Sequence, residues 1–74
     1  MDCLLFRLTT AEDVHQIFAL GMEITDNERT EAVVYRRDPA TKSPFFGLHP
    51  SAEAALAHYR TIRPMALHWE DDDD

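Results

Sequence analysis

Four histidines, one cysteine, three clustered bases and a terminal run of acids are the groups here that could carry chemistry. His15, His49, His58 and His68 would have to converge to hold a metal ion. No two of them share the i, i+4 spacing that places both rings on one helix face, and no His-Glu-x-x-His run is present. Scattered, half-exposed histidines are the simpler reading, and no metal or cofactor is expected. Cys3 could serve as a nucleophile if His68, on a neighbouring strand, took its proton. That chemistry needs a lowered thiol pKa and a third, orienting group, and neither is legible. A cysteine in an apolar strand more simply packs.

Arg36, Arg37 and Lys42 are the local positive cluster. Adjacent strand residues point to opposite faces, so Arg36 and Arg37 cannot both meet one ligand. The cluster reads as a solvated hairpin tip or as a docking point for an acidic partner. Phe45-Phe46 invites comparison with the aromatic platforms on which single-stranded RNA stacks, but no bases or glycine-rich run flank the pair beyond Gly47. No phosphate-cradling loop, catalytic carboxylate pair or helix-turn-helix signature occurs.

The formal net charge of the 74 residues is −7, and its location matters more than its size. Glu70 to Asp74 holds five of the fourteen acids, which leaves nine against seven Lys and Arg. A nearly balanced body argues against direct nucleic-acid binding, which needs clustered positive charge. The acidic end could steer the chain toward a basic protein surface. With one cysteine, an intrachain disulfide is impossible. A chain of this length buries only about 60% of its unfolded surface, so a homodimer is expected to help stabilise it. No apolar stretch approaches the roughly 20 residues of a membrane span. A lone cysteine without an export signal points to the cytoplasm.

The elements that would position these groups follow from hydrophobic periodicity. Cys3–Leu8 reads as a strand with Leu4, Phe6 and Leu8 on one face and Cys3, Leu5 and Arg7 on the other. Thr9 with Glu12, and Thr10 with Asp13, match capping-box spacing, so a first helix is expected to carry Val14, Ile17, Phe18, Gly21 and Ile24 on one side. The polar residues 25–30 read as a loop, with a longer first helix through this region as the rival. Residues 31–37 and 45–48 read as strands around a proline-bracketed hairpin loop. Ser51 caps a second helix lined by Ala52, Ala55, Leu56, Tyr59 and Ile62, which Pro64 ends. Met65, Leu67 and Trp69 then alternate with Ala66 and His68 as a last strand. The run 71–74 is expected to be a disordered acidic tail on a single α+β domain spanning 1–70.

The order β-α-β-β-α-β resembles the ferredoxin-like superfold in topology. A shift of 41 residues supports it by laying Thr10-Ala11-Glu12 on Ser51-Ala52-Glu53 and Phe18 on Tyr59. The resemblance implies a four-stranded antiparallel sheet with two helices on one face. The first and third strands would be central, and the open face would carry Cys3, Leu5, Val34, Ala66 and His68. A superfold so widely reused implies no activity. The expected role is a non-enzymatic interaction or regulatory module that binds a protein partner or itself through the open face or an edge strand. Cys3, Leu5, Arg36, Arg37, His68, Glu70, Asp71 and Asp72 are its candidate contact residues. The alternative is a small-ligand sensor or small enzyme with a pocket at a dimerised sheet face, around Cys3, Leu5 and His68.

Overall fold

The computed structural model describes residues 1–70. Five strands, β1 (Asp2–Thr10), β2 (Ile17–Thr25), β3 (Thr30–Arg37), β4 (Pro44–His49) and β5 (Met65–Trp69), form one sheet. Their order is β4-β3-β2-β1-β5, and every neighbouring pair is antiparallel. The helix α1 (Ala52–Tyr59) lies between β4 and β5, the two edge strands. The fold is therefore a four-stranded meander whose chain crosses one sheet face through α1 and returns to pair with β1.

This overturns the ferredoxin-like expectation. Among the described residues there is one helix instead of two and there are five strands instead of four, and the 41-residue repeat has no structural counterpart. The error lies in residues 11–25. Thr10 and Asp13 do interact, but they close a turn: the Asp13 amide donates to Thr10 Oγ1 at 3.2 Å, and Thr10 Oγ1 donates to the Asp13 carbonyl at 3.1 Å. The Asp13 carboxylate then accepts from the His15 amide at 2.9 Å, and the Gln16 amide donates to the Asp13 carbonyl at 3.0 Å. Side chains of this type favour turns as readily as helix starts. Beyond the turn, Leu20, Met22 and Ile24 alternate with Ala19, Gly21 and Glu23, a strand period that a helical reading of Ile17, Phe18, Gly21 and Ile24 obscures.

Pairing of β1 with β2 runs from Asp2↔Thr25 to Leu8↔Ala19 and then shifts to Thr9↔Ile17. Phe18 is the extra residue of this β-bulge, which frees its ring to turn toward the helix. The β2–β3 connection is held by Asp26, whose carboxylate accepts from the Glu28 and Arg29 amides. Those two bonds hold its pKa below the ordinary carboxylate value. Asp38 repeats the device in the β3–β4 loop with the Ala40 and Thr41 amides, with the same effect.

The core lies between the sheet and α1. Phe6, Leu8, Ala19, Ala32, Val34, Ala52, Ala55, Tyr59 and Met65 are all buried. Trp69 meets Phe6 edge-on at 5.6 Å. Small residues set the spacing. A Cβ at Gly21 would lie 2.2 Å from Cζ of Phe6, and one at Gly47 would lie 2.8 Å from the Tyr59 hydroxyl. The glycine of β2 is thus a seat for the Phe6 ring.

α1 begins where the sequence indicates. Ser51 is extended, and its hydroxyl accepts from the Ala54 amide at 3.0 Å. A second acceptor comes from β2, because Glu23 Oε2 takes the Ala52 amide at 2.9 Å. The helix stops at Tyr59, one turn before the expected Ile62, and Ile62 is exposed. No helix among the described residues is long and apolar enough to cross a membrane.

Candidate functional site

The sheet face away from α1 has no covering layer among the described residues. Strand alternation places Cys3, Leu5 and Arg7 of β1 on it, with Leu20, Met22 and Ile24 of β2. From β3 come Glu31, Val33, Tyr35 and Arg37, from β4 Phe46 and Leu48, and from β5 Ala66 and His68. The registers join these into cross-strand rows. One row runs Leu5–Met22–Val33–Leu48, and the next runs Arg7–Leu20–Tyr35–Phe46. Leu48 is 75% exposed, Phe46 69%, Leu5 54% and Leu20 48%. Tyr35 and Phe46 touch, with ring centroids 5.2 Å apart. Large apolar side chains lined up in adjacent rows differ from the singly scattered ones that any soluble surface carries.

Charge frames the face. Glu31 and Arg37 stand at opposite ends of β3, with Val33 and Tyr35 between them. Glu31 has an exposed partner in Arg29 at 3.7 Å, whereas Arg37 makes no ion pair among the described residues. At the β5 edge, Arg7 Nη1 lies 3.1 Å from Glu70 Oε2, and the Glu70 amide donates to the Leu5 carbonyl at 2.9 Å.

The sequence-derived contact residues divide on this geometry. Cys3, Leu5, Arg37 and His68 do occupy the open face, and Arg7 ties Glu70 to its rim. Val34 does not, because it is fully buried beneath the helix. Arg36 lies on the helix side, opposite Arg37, as strand alternation requires. Asp71 and Asp72, with the rest of the acidic run, lie outside the described residues. The first strand is internal as expected, but β4 is an edge and β3 is interior. What sequence reasoning missed is the contribution of β2. Leu20, Met22 and Ile24 fill the middle of the face, and their alternation was the available signal.

The Cys3–His68 pairing also fails geometrically. His68 sits opposite Arg7, four residues from Cys3 along β1, or about 13 Å at the rise of a strand. Its Nε2 instead lies 3.0 Å from Thr9 Oγ1. Thr9 is fully buried, so no substrate could reach that hydroxyl and the contact serves to anchor β5. No group of three or more His, Cys, Asp or Glu among the described residues could hold a metal ion.

The other titratable cluster is on the helix side. His49 Nε2 lies 3.3 Å from the Tyr59 hydroxyl, and the His58 ring is 5.4 Å from that of His49. Burial, and secondarily the neighbouring His58, push the His49 pKa below its ordinary 6.5. Burial likewise raises that of Tyr59, against a smaller opposing effect of the Arg36 charge. Both groups are therefore held neutral, and they bridge β4 to α1. Comparison with known proteins finds no family model, curated protein or solved structure that matches this chain.

Proposed function

We propose that this chain is a non-enzymatic interaction module whose binding surface is the open face of its sheet, and that the occupant is a second copy of the chain. The observation that carries this reading is the pair of adjacent rows that are apolar at Leu5–Met22–Val33–Leu48 across β1 to β4 and at Leu20–Tyr35–Phe46 across β2 to β4. An uncovered face of this kind gains free energy when it is taken out of water, at about 25 cal/mol per Å² of apolar area.

Two features favour a second copy. The first is size. Five strands spaced about 4.8 Å apart and six residues long give a plan area of about 480 Å² before side-chain relief is added. A standard interface needs roughly 800 Å² of accessible surface per partner, which is within reach of such a face. The second is self-complementarity. A two-fold axis lying between the sheets and crossing β3 at its middle would lay one β3 antiparallel over the other. Glu31 of each copy would then meet Arg37 of the other, and the two apolar rows would exchange places across the interface. Aligned sheet packing, at about 30°, offsets each end of β3 laterally by only about 5 Å from the strand above it, a gap the long Glu31 and Arg37 side chains can span.

Sedimentation equilibrium of the full chain tests the reading. A dimer that Phe46→Ser with Leu48→Thr converts to a folded monomer is expected. A wild-type monomer throughout the micromolar range would reject it.

A further inference from the structure

On the opposite side of the sheet, beside the helix, a cleft of about 280 Å³ opens between the β2 bulge, the ends of the β3–β4 hairpin and the C-terminal end of α1. Its walls are the rings of Phe18, Phe45 and Tyr59 with the side chain of Ile62, and Arg36 forms part of its lining. Phe45 stands edge-on to Tyr59 at 6.5 Å, and Phe18 lies tilted 5.7 Å from the same ring. Arg36 is cross-strand neighbour to Phe45, and its guanidinium carbon stacks 4.1 Å from the Phe18 centroid.

The charge of Arg36 is what makes this more than a gap in the packing. Its Nε is buried and has no hydrogen-bond partner, and the guanidinium makes no ion pair among the described residues. The carboxylate that also lines the cleft, Asp38, feels the Arg36 charge but makes no ion pair with it; one of its oxygens accepts from the Ala40 and Thr41 amides at 2.8 and 3.3 Å. A guanidinium fixed by stacking, with donors unspent and aromatic walls beside it, suits a carboxylate carried on a flat apolar body. The carboxylate would take parallel N–H donors from the guanidinium, and the ring would pack among Phe18, Phe45 and Tyr59. The volume is near the lower end of small-molecule pockets, which limits the body to about one ring. A larger hollow against Asp26–Arg29 has only exposed loop side chains around it and offers no such pairing.

We infer that the Arg36 cleft is a binding site for a small aromatic carboxylate, either free or as the chain end of a peptide terminating in an aromatic residue. This goes beyond the self-association proposed above and does not depend on it, because the two surfaces lie on opposite sides of the sheet.

Titration of the ¹⁵N-labelled full chain with phenylacetate, followed by amide chemical shifts, tests the inference. Saturable shifts centred on Phe18, Arg36, Ser43 and Phe45 are expected. Phenylacetamide, which keeps the ring and loses the charge, and acetate, which keeps the charge and loses the ring, should each bind at least about tenfold more weakly, since each lacks one half of the recognition. Arg36→Gln should abolish the response, and Arg36→Lys should restore only part of it because the planar fork is lost. A glycine-rich pentapeptide ending in Phe, compared as free acid and as amide, identifies the source of the carboxylate: tighter binding of the free acid than of phenylacetate marks a chain end, and the reverse marks a free acid. Equal binding of phenylacetate and phenylacetamide to the wild-type chain would overturn the site whatever the variants do. So would shifts confined to Leu5, Phe46 and Leu48, or no shifts at millimolar phenylacetate.

Discussion

The Arg36 guanidinium carbon lies 4.1 Å from the centroid of the Phe18 ring, and the two residues come from features that a strand-by-strand reading treats separately. Phe18 is the extra residue of the β1–β2 bulge, and Arg36 lies near the end of β3. The bulge turns the ring toward the helix, where it packs on Tyr59 and gives the guanidinium a face to lie on. Phe18→Ala should therefore destabilise the chain by about 2–3 kcal/mol through lost packing and lost stacking together. Phe18→Leu, which keeps apolar volume, should cost roughly 1 kcal/mol. Urea denaturation with unchanged slopes measures both; a Phe18→Leu cost near zero would show that the stacking contributes nothing, and equal costs for the two variants would show that apolar volume does not.

Gly21 and Phe6 make a second testable pair. An alanine at 21 would place its Cβ 2.2 Å from the Phe6 ring, which is itself pinned by Trp69. Gly21→Ala should cost about 1–3 kcal/mol by overpacking. In the Phe6→Leu background the same change should cost measurably less. A purely additive double mutant would contradict the seat that Gly21 provides for the ring.

Glu23 reaches from β2 to the start of α1, where its carboxylate accepts the Ala52 amide while Ser51 takes the Ala54 amide. Because the two acceptors serve different donors, Glu23→Ala and Ser51→Ala should each cost about 0.5–2 kcal/mol. The double mutant should lose close to the sum of the two. A loss of helical circular dichroism before global unfolding would locate the effect at α1.

These contacts explain how much of the fold was legible. Strands β1, β3, β4 and β5 and the Ser51 cap are written in local signals: alternation at Leu4–Leu8 and Met65–Trp69, prolines around the hairpin loop, and a serine before an alanine-rich run. The second strand is not written so plainly. Ile17, Phe18, Gly21 and Ile24 satisfy a helical spacing because a bulge shifts Phe18 out of the strand period, and Thr10 with Asp13 closes a turn using the side chains that also start helices. A helix in place of β2 puts β4 at the centre of the sheet and leaves the middle of the open face without Leu20, Met22 and Ile24. The face itself was partly anticipated through Cys3, Leu5 and His68. The Arg36 cleft was not, because it depends on that bulge and on where α1 ends.

His49 gives the fold a pH dependence of known sign. Its folded pKa is below the ordinary 6.5, so the unfolded chain takes up this proton more readily than the native one. The contribution of neutral His49 to stability is fully present above about 6.5 and is lost as pH falls toward the lowered folded value. His58 and the Tyr59 hydroxyl contact it, and Arg29 and Glu31, of opposite charge, line the hollow beside it, so burial and then His58 set the direction. A proton-NMR titration should place the His49 midpoint below 6.5, and His49→Gln should flatten the fall of melting temperature between pH 7 and pH 5. A midpoint above 6.5 would reverse the assignment.

Self-association through the open face stands or falls most directly on a charge swap along β3, read by sedimentation equilibrium at low salt. Glu31→Lys places two cations opposite each other at both ends of the proposed two-fold interface and should weaken the dimer by about tenfold or more. Adding Arg37→Glu to the same chain recreates the pairs with reversed sign and should restore the wild-type dissociation constant. Dimers of equal strength in the wild type, the single variant and the double variant, or a wild-type chain that stays monomeric, would contradict the account.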